Sequence, residues 1–319
     1  MIHSLTKNRQ PAGVLRAMVA RAFGADQVVD DGFEELGLGW FNVAYRVRLA
    51  DGASVVLKIA TPAGVQVLTY EHGMLRTEVA ALRLVAERTS VRVPRVLAVD
   101  ESRELCDADY FFMEYIEGET LSTLPADERS PLQGALGALN RQLNEVRGTG
   151  FGPLLAPTSQ SWREVFTGMV ESVLADGERR AVDLGQDYDD LRELLLAHSP
   201  SLDEVIEPRF VEWDLWDGNA LVHDGAIVGI IDHERALWGD PLMESGFAAL
   251  VLPGTLGDAS SFADGYGIGS LTPTQLVRRR LYTLHLLVVM TIETVYREHE
   301  SPAQYDFARA ALAELVAKF

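Results

Sequence analysis

The stretch EWDLWDGNALV (212–222) decides the fold of this chain and most of its functional interpretation. It carries an acid, Asp214, and an amide, Asn219, five residues apart, with the turn dipeptide Asp217-Gly218 between them. The residues before and after this loop, 209–212 and 220–223, have the composition of short strands. We therefore predict that Asp214 and Asn219 lie on one tight loop between two strands.

A second apolar run, 227–231, follows the turn at 223–225 and ends on another acid, Asp232. Asn219 and Asp232 then lie at opposite ends of a hairpin-like unit, which lets both face one pocket. Their oxygens suit a hard cation such as Mg²⁺. Asp214 remains as the carboxylate that accepts a proton from a substrate hydroxyl or orients it. Because Asp and Asn are also common turn residues, the interpretation depends on the apolar context and the partner strand.

The first part of the chain has the pattern of an α+β lobe. A helical pattern at 11–23 comes first, and a second one lies at 71–88. The strand-like runs are 41–49, 54–60, 94–99 and 110–116, and the first two are joined by the turn signal Ala50-Asp51-Gly52. We expect this lobe to occupy residues 1–117.

From Gly118 onward the pattern is mostly helical. Helices are predicted at 131–146, 161–180, 188–197, 241–250, 274–296 and 303–318. The strands of the opening stretch form a small β insertion among them. The sequence therefore predicts a larger, mostly helical second lobe, residues 118–319, in an α+β fold.

Lys58 stands inside the apolar run SVVLKIA (54–60), where an unpaired charge would be costly to bury. Strand alternation places it on the same face as Val56 and Ala60, which favours a paired, functional lysine over one at a sheet edge. Glu78, on the helix that follows, is the obvious partner. Glu71 is a competing candidate.

The stretch LGLGWFN (36–42) supplies a glycine-bearing turn just before a strand. Glycine lets backbone N–H groups approach a phosphate closely, which makes Gly37 and Gly39 candidates for a phosphate loop. Asn42 stands where G-x-G-x-x-G has its third glycine, so an ordinary hairpin turn is the alternative. Residues 111–118 read as an edge-like strand whose backbone can pair with an adenine edge; a plain core strand is the alternative.

The net charge of −19 argues against nucleic acid as a partner, because phosphate backbones require a basic surface. It permits a cationic substrate, although a merely solubilising acidic surface is the simpler reading. The single cysteine, Cys106, excludes an internal disulfide and fits a reducing compartment. We see no secretory signal, and the longest apolar run, 281–292, is too short for a bilayer. A cytoplasmic protein without membrane contact is expected.

The ordered set of glycine turn, lysine, helix glutamate, D-x4-N and final aspartate resembles the aminoglycoside phosphotransferase family. These are small-molecule kinases with a bilobal protein-kinase-like fold. The strongest motifs are WDLWDGNALV (213–222) and GIIDHERALWGDPLMESGF (229–247). The resemblance runs from about Asp31 to the C-terminus. It implies transfer of the γ-phosphoryl group of ATP, or GTP, to a hydroxyl of a small molecule, with Mg²⁺ as cofactor.

The resemblance also implies roles for single residues. Asp214 is the expected catalytic residue, and Asn219 and Asp232 are the expected metal ligands. Asp240 is expected to open the next helix as a structural acid. The expected nucleotide contacts are Gly37, Gly39 and Asn42 in the loop over the phosphates, Lys58 paired with Glu78, and Glu114 to Ile116 beside the adenine.

One position departs from the family pattern. Glu212 stands where the family has a histidine, two residues before the catalytic aspartate. Its charge can raise the pKa of a neighbouring carboxyl, its side chain can cap backbone amides, or it can bind metal or substrate. His233 is interpreted as structural or as a partner of Glu212.

The acceptor and the oligomeric state are left open by the sequence. An aminoglycoside or another antibiotic is one candidate acceptor, and a metabolite alcohol is another. Glu212 also raises the alternative of an inactive nucleotide-binding pseudokinase.

Overall fold

A computed structural model describes residues 4–37, 39 and 41–319 of the chain. The chain divides into two compact units. The first comprises Met1–Val67, Pro94–Ile116 and Tyr296–Glu300, and the second comprises Leu68–Val93, Glu117–Val295 and Ser301–Phe319. The helical region at 71–88, which the sequence assigned to the first lobe, thus groups with the second unit. The lobe boundary at residue 117 stays a prediction.

The first unit is an antiparallel sheet of five strands with a helix on one face. Its helix is α1 (Ala12–Phe23), and its strands are β1 (Phe33–Glu35), β2 (Val43–Arg48), β3 (Ser54–Ile59), β4 (Val96–Asp100) and β5 (Tyr110–Glu114). The strand order is β1-β2-β3-β5-β4. The β2–β3 hairpin turns at Gly52, whose φ of 89° favours glycine.

Strand alternation separates the two faces of this sheet. Leu57 and Ile59 of β3 point into the core, where Leu15 and Met18 of α1 join them. Lys58 lies between them on β3, opposite Ala44 of β2, so its side chain projects from the other face. It is nonetheless buried, at 7% exposure. The predicted placement of Lys58 inside a strand is confirmed.

The second unit is mostly helical. Its helices are α2 (Met74–Arg88), α3 (Ala126–Asn144), α4 (Trp162–Arg179), α5 (Tyr188–His198), α6 (Ser260–Tyr266), α7 (Pro273–Tyr296) and α8 (Ala303–Val316). Its short strands are β6 (Glu119–Thr120), β7 (Gly152–Pro153), β8 (Arg209–Val211), β9 (Ala220–His223), β10 (Ala226–Ile230) and β11 (Leu237–Gly239). They form two three-stranded sheets, β10-β9-β6 and β7-β11-β8. Among the described residues no helix is long and apolar enough to cross a membrane.

Capping chemistry fixes two helix starts where the pattern placed them. The Ser161 hydroxyl accepts from the Glu164 amide at the start of α4, and Asp187 accepts from the Asp189 amide at the start of α5. The helix predicted at 241–250 is wrong. Two 3₁₀ turns, Pro241–Met243 and Ser245–Leu250, stand there, separated by Glu244 in an extended conformation. The sequence pattern also missed α6 and the strands β1, β6, β7 and β11.

Helices α3 and α6 approach closely because both present glycines at the contact. A Cβ atom added to Gly265 of α6 would overlap the carbonyl oxygen of Gly134 on α3, and one added to Gly137 would overlap that of Phe262. Backbone cannot give way as a flexible side chain can. The contact therefore requires glycine at these positions.

We expect Gly265→Ala to lower the free energy of unfolding by about 2 kcal/mol, since overpacking forces the two helices apart. Gly168→Ala is the matched control. Gly168 lies within α4, and apart from its chain neighbours and the adjacent helix backbone no described atom lies within 4 Å of an added Cβ there. Alanine at 168 should be neutral or stabilise by about 0.5–1 kcal/mol through its helix propensity. Thermal unfolding of both variants checks this, and an unchanged Gly265→Ala protein would contradict the contact.

Candidate active site

The site is built on the β9–β10 hairpin. Ala220 pairs with Ile230, and the Ile231 amide donates to the Asn219 carbonyl oxygen at 2.9 Å. The hairpin predicted from the sequence is therefore present. Asn219 leads into β9 and Asp232 follows β10, so the open end of one hairpin brings the two together.

The Asn219 side chain is fixed by the loop that carries Asp214. Its amide nitrogen Nδ2 donates to the Asp214 carbonyl oxygen at 2.9 Å, and its own backbone amide donates to the Trp216 carbonyl oxygen. Because the nitrogen is committed to the loop, the oxygen Oδ1 is the end of the amide that can act as a ligand. The prediction that Asp214 and Asn219 share one tight loop is confirmed.

The Asp214 carboxyl is part-buried, with 28% of its side chain exposed. Burial raises its pKa to about 6, while Arg235 acts to lower it and Asp232 to raise it further. The Arg235 Nε atom lies 3.7 Å from the Asp214 oxygen Oδ2. At neutral pH this carboxyl is mostly ionised, yet it is a better proton acceptor than an ordinary aspartate.

Arg235 was not recognised from the sequence. Its guanidinium lies over the rings of Trp213 and Tyr70, with 5.2 Å and 5.7 Å to the ring centroids, and its Nη2 donates to Glu293 at 3.3 Å. Two aromatic faces and a carboxylate thus hold the cation beside Asp214. The available signal was a charged pair, Glu234-Arg235, two residues after the aspartate that ends an apolar run.

A buried carboxylate, Glu244, holds the start of the loop 212–219 that carries Asp214. Its oxygens accept from the Glu212 and Trp213 amides, each at 3.0 Å, and from the side-chain amides of Asn140 and Asn144 at 3.0 and 2.8 Å. Burial raises the pKa of Glu244 to about 7, and the two asparagine amides act against that rise. This use of its side chain explains why the helix predicted at 241–250 is interrupted at 244.

The backbone is strained at two residues of the site, Trp213 and Asp232. Trp213, directly before Asp214, has a φ of 60°, and Asp232 has a φ of 69°. Left-handed conformations of this kind cost a non-glycine residue about 1–3 kcal/mol and persist only where the surroundings impose them. The Trp213 ring is buried, and its carbonyl oxygen accepts from the Ser245 amide at 3.1 Å.

Glu212 pairs with His233. The His233 Nδ1 atom lies 2.6 Å from the Glu212 oxygen Oε1, and both side chains are buried. Burial lowers the pKa of His233, but the charge and hydrogen bond of Glu212 outweigh it, so that the pKa is raised. Of the roles considered for Glu212, its carboxylate serves as the partner of His233, and its charge contributes to raising the pKa of Glu244. The alternative that His233 is a partner of Glu212 is confirmed.

Three carboxylates converge behind the hairpin. Glu78 of α2, Asp232 and Glu234 each place an oxygen within 4.8 Å of the others. Glu78 is fully buried and Glu234 nearly so. An oxygen-only set of this kind suits a hard divalent cation. Glu234 was not singled out from the sequence. The expectation that Glu78 pairs with Lys58 stays a prediction.

The remaining predicted nucleotide contacts lie in the first unit. Gly37 and Gly39 are exposed, and apart from their chain neighbours no described atom lies within 3.5 Å of a Cβ added to either. Leu38 and Trp40 of the same turn lie outside the described residues. Asn42 is buried just before β2. Glu114 ends β5, and its amide donates to the Arg95 carbonyl oxygen. The predicted adenine contact therefore stays a prediction for the Glu114 carbonyl group and Ile116.

Asp240 has the structural role expected of it. Its carboxylate accepts from the Leu242 amide and caps the turn that begins at Pro241. It also accepts from Arg278 at 3.0 Å and from the Tyr282 hydroxyl at 2.7 Å, both on α7. The segment after the hairpin is thereby anchored to the long helix.

Residues 32–282 match the family model described as the phosphotransferase enzyme family, APH. The chain belongs to this family. A comparison with curated protein sequences found no match. The family match covers the β2–β3 hairpin, α2 and the segment from Glu212 to Glu244.

Solved structures share the fold across nearly the whole chain. A thermostable mutant of the aminoglycoside phosphotransferase APH(4)-Ia, in a ternary complex with AMP-PNP and hygromycin B, has a TM-score of 0.69 at 18% identity and covers 95% of this chain and 98% of its own. A candidate fructosamine-3-kinase from Haemophilus somnus 129PT has a TM-score of 0.67 at 17% identity, with 95% and 96% covered. One from Thermobifida fusca YX-ER1 has a TM-score of 0.64 at 23% identity, with 94% and 98% covered. The α+β, protein-kinase-like fold is confirmed.

We expect Glu244→Gln to destabilise the protein by about 2 kcal/mol, because a glutamine turns one accepting oxygen into a donor that faces backbone or asparagine N–H groups. Glu193→Gln, an exposed position on α5, is the matched control and should change stability by less than about 0.5 kcal/mol. Denaturant unfolding at pH 8, where Glu244 is mostly ionised, checks both. Equal stabilities of the two variants would show that Glu244 does not hold the loop.

Proposed function

We propose that this protein is a kinase that transfers the γ-phosphoryl group of ATP, or GTP, to a hydroxyl group of a small molecule. One observation carries the proposal above all. The Asn219 side chain donates to the Asp214 carbonyl oxygen, so the loop that carries the partly exposed Asp214 carboxylate is joined to the hairpin end that also delivers Asp232. Family membership supports the same chemistry.

In this proposal Asp214 receives the acceptor hydroxyl. Its carboxylate accepts the hydroxyl hydrogen and orients the oxygen for in-line attack on the phosphoryl group. The bond from that oxygen to phosphorus forms, the bond to the leaving nucleoside diphosphate breaks, and the hydroxyl proton passes toward Asp214. A pKa of about 6 leaves Asp214 ionised at neutral pH and able to accept that proton.

The donor set at the hairpin end fits Mg²⁺. Asn219 offers an amide oxygen, Asp232 a carboxylate, and Glu234 a further carboxylate nearby. When bound, Mg²⁺ neutralises charge on the nucleotide phosphates. Asn219 and Asp232 are proposed as its ligands, as expected from the sequence.

The nucleotide contacts are proposed on the first unit. Lys58 is a buried cation on the sheet face opposite the hydrophobic core, which suits contact with phosphate oxygens. The turn with Gly37, Gly39 and Asn42 is proposed to cover the phosphates. The backbone from Glu114 to Ile116 is proposed to pair with adenine.

For the acceptor we propose a polyhydroxylated small molecule, and the net charge of −19 permits a cationic one. Two kinds of structural neighbour support this class. One neighbour holds hygromycin B, and others are candidate fructosamine-3-kinases. The pairing of the Glu212 carboxylate with His233 is compatible with an active kinase, and an inactive nucleotide-binding protein is the alternative. A metabolite alcohol and an antibiotic alcohol remain the two acceptor types to separate by experiment.

The first test is transfer itself. Wild-type protein with Mg²⁺-ATP is offered a panel of hydroxylated antibiotics, amines bearing sugars and metabolite alcohols, and phosphorylated product is detected by mass spectrometry. We expect one class to be phosphorylated, and Asp214→Asn to lose about 100-fold or more in kcat/KM. Asp224→Asn, at the tip of the same hairpin with a φ of 49° that asparagine tolerates, is the control and should keep full activity. Equal activity in all three proteins would remove Asp214 from the mechanism.

The pH dependence tests the charge state of Asp214. Since the protonated carboxyl cannot accept a proton, kcat/KM should fall as the pH drops through about 6. Arg235 acts to lower the Asp214 pKa, so Arg235→Gln should move this limb upward by roughly one pH unit. Arg163→Gln, an exposed arginine on α4, should leave the limb in place. A limb that does not move in Arg235→Gln would assign the titration to another group.

A further inference from the structure

The buried pair of Glu212 and His233 joins the two loops that carry the proposed catalytic and metal-binding side chains. Glu212 directly follows β8, the strand that leads to Asp214, and its side chain is 3% exposed. His233 follows Asp232 directly, and its ring is fully buried. Their contact of 2.6 Å is a side-chain bond from one loop to the other, 21 residues along the chain.

Both ring nitrogens of His233 face acceptors. Nδ1 lies against the Glu212 carboxylate, and Nε2 lies 3.1 Å from the carbonyl oxygen of Ile230, on the strand that delivers Asp232. The protonated ring donates through both nitrogens and the neutral ring through one of them, so either form is held by at least one hydrogen bond. The ring therefore lies between the catalytic loop and the backbone of β10, in contact with both.

Each member of the pair is next to a strained residue. Trp213, with its φ of 60°, follows Glu212, and Asp232, with its φ of 69°, precedes His233. Such conformations persist only where neighbouring contacts impose them. On the catalytic loop the imposed contacts are the Glu244 bonds to the Glu212 and Trp213 amides together with the Glu212 side chain. At Asp232 the imposed contacts include the two contacts of the neighbouring His233 ring.

We infer that Glu212 and His233 are positioning residues that fix the catalytic loop and the Asp232 loop in one mutual geometry. The inference rests on the proposed function for its consequence, since it is the relation of Asp214 to Asp232 that matters for phosphoryl transfer. The mechanical coupling of the two loops does not depend on any activity. A buried polar pair stabilises a protein little more than apolar residues of the same size would. In this inference the pair Glu212–His233 contributes a defined geometry of the two loops.

The reciprocal exchange Glu212→His with His233→Glu is the sharpest variant, because it keeps both groups and reverses their positions. It is compared with Glu212→Gln and with His233→Gln alone. Tyr282→Phe is the matched control. It removes two buried hydrogen bonds, to Trp162 and Asp240, from the same unit without touching either loop.

The first readout is hydrogen–deuterium exchange of peptides that cover 210–222 and 228–238, in the protein without ligands. Either single variant should raise exchange about tenfold or more in both segments at once, although it alters only one of them. In the reciprocal double variant Glu212→His with His233→Glu, deuterium uptake in both segments should return toward the wild-type rate. Tyr282→Phe should lower the melting temperature and leave both segments unchanged.

The second readout is kinetic, on the acceptor found in the panel. The single variants should lose about 10–100-fold in kcat with a small change in the KM for the acceptor, the size of effect seen when supporting groups are removed. The exchanged pair should recover part of that loss.

The inference would be overturned if deuterium uptake rose only in the segment that carries the substitution. It would also be overturned if the reciprocal double variant took up deuterium as fast as the single variants. Kinetic losses that merely follow the melting temperature, as in Tyr282→Phe, would overturn it as well. If a single variant does not fold, Glu212→Asp takes its place, because it keeps the charge but shortens the reach to His233, and it must raise deuterium uptake in both segments. If the single variants raise deuterium uptake in both segments but the wild type transfers no phosphoryl group, the coupling of the two loops stands and the proposed function is rejected.

Discussion

The buried carboxylate of Glu244 is the constraint on which the site depends. Four N–H groups converge on it, two from the backbone at Glu212 and Trp213 and two from asparagines on α3. It therefore ties the start of the loop that carries Asp214 to a helix of the second unit, and the backbone turn at Trp213 follows from that attachment. Arg279 of α7 in turn donates to the Glu244 carbonyl oxygen at 2.8 Å, so the carboxylate is itself held in place.

The charged side chains around Asp214 act in opposite directions on its pKa. Asp214 is partly desolvated, with Arg235 on one side and the acids Asp232 and Glu234 beyond. Burial alone would favour the protonated acid, and Arg235 offsets part of that effect. A carboxylate balanced in this way stays ionised near neutrality and still accepts a proton readily, which is what an acceptor-orienting residue needs.

Much of this could be predicted from sequence because it is local. The turn at Asp217-Gly218, the β9–β10 hairpin and the placement of Asn219 and Asp232 at its end follow from strand patterns and turn residues a few positions apart. Glu244 and Arg235 could not be predicted, because their partners lie 31 or more residues away or on other elements. The helix wrongly predicted at 241–250 has the same cause, since the periodic pattern does not reveal that the Glu244 side chain is needed elsewhere. The pairing of Glu212 with His233 was one of several alternatives until the fold brought them together.

The most direct measurement is a crystal structure of the wild-type protein with Mn²⁺ and a non-hydrolysable ATP analogue, with the metal located by its anomalous signal. We predict one metal bound by the Asn219 side-chain oxygen and the Asp232 carboxylate, with the terminal phosphate on the same side of the hairpin as Asp214. Metal bound by Glu78 and Glu234 without Asn219, or a triphosphate remote from Asp214, would contradict the assignment of this hairpin as the site of phosphoryl transfer.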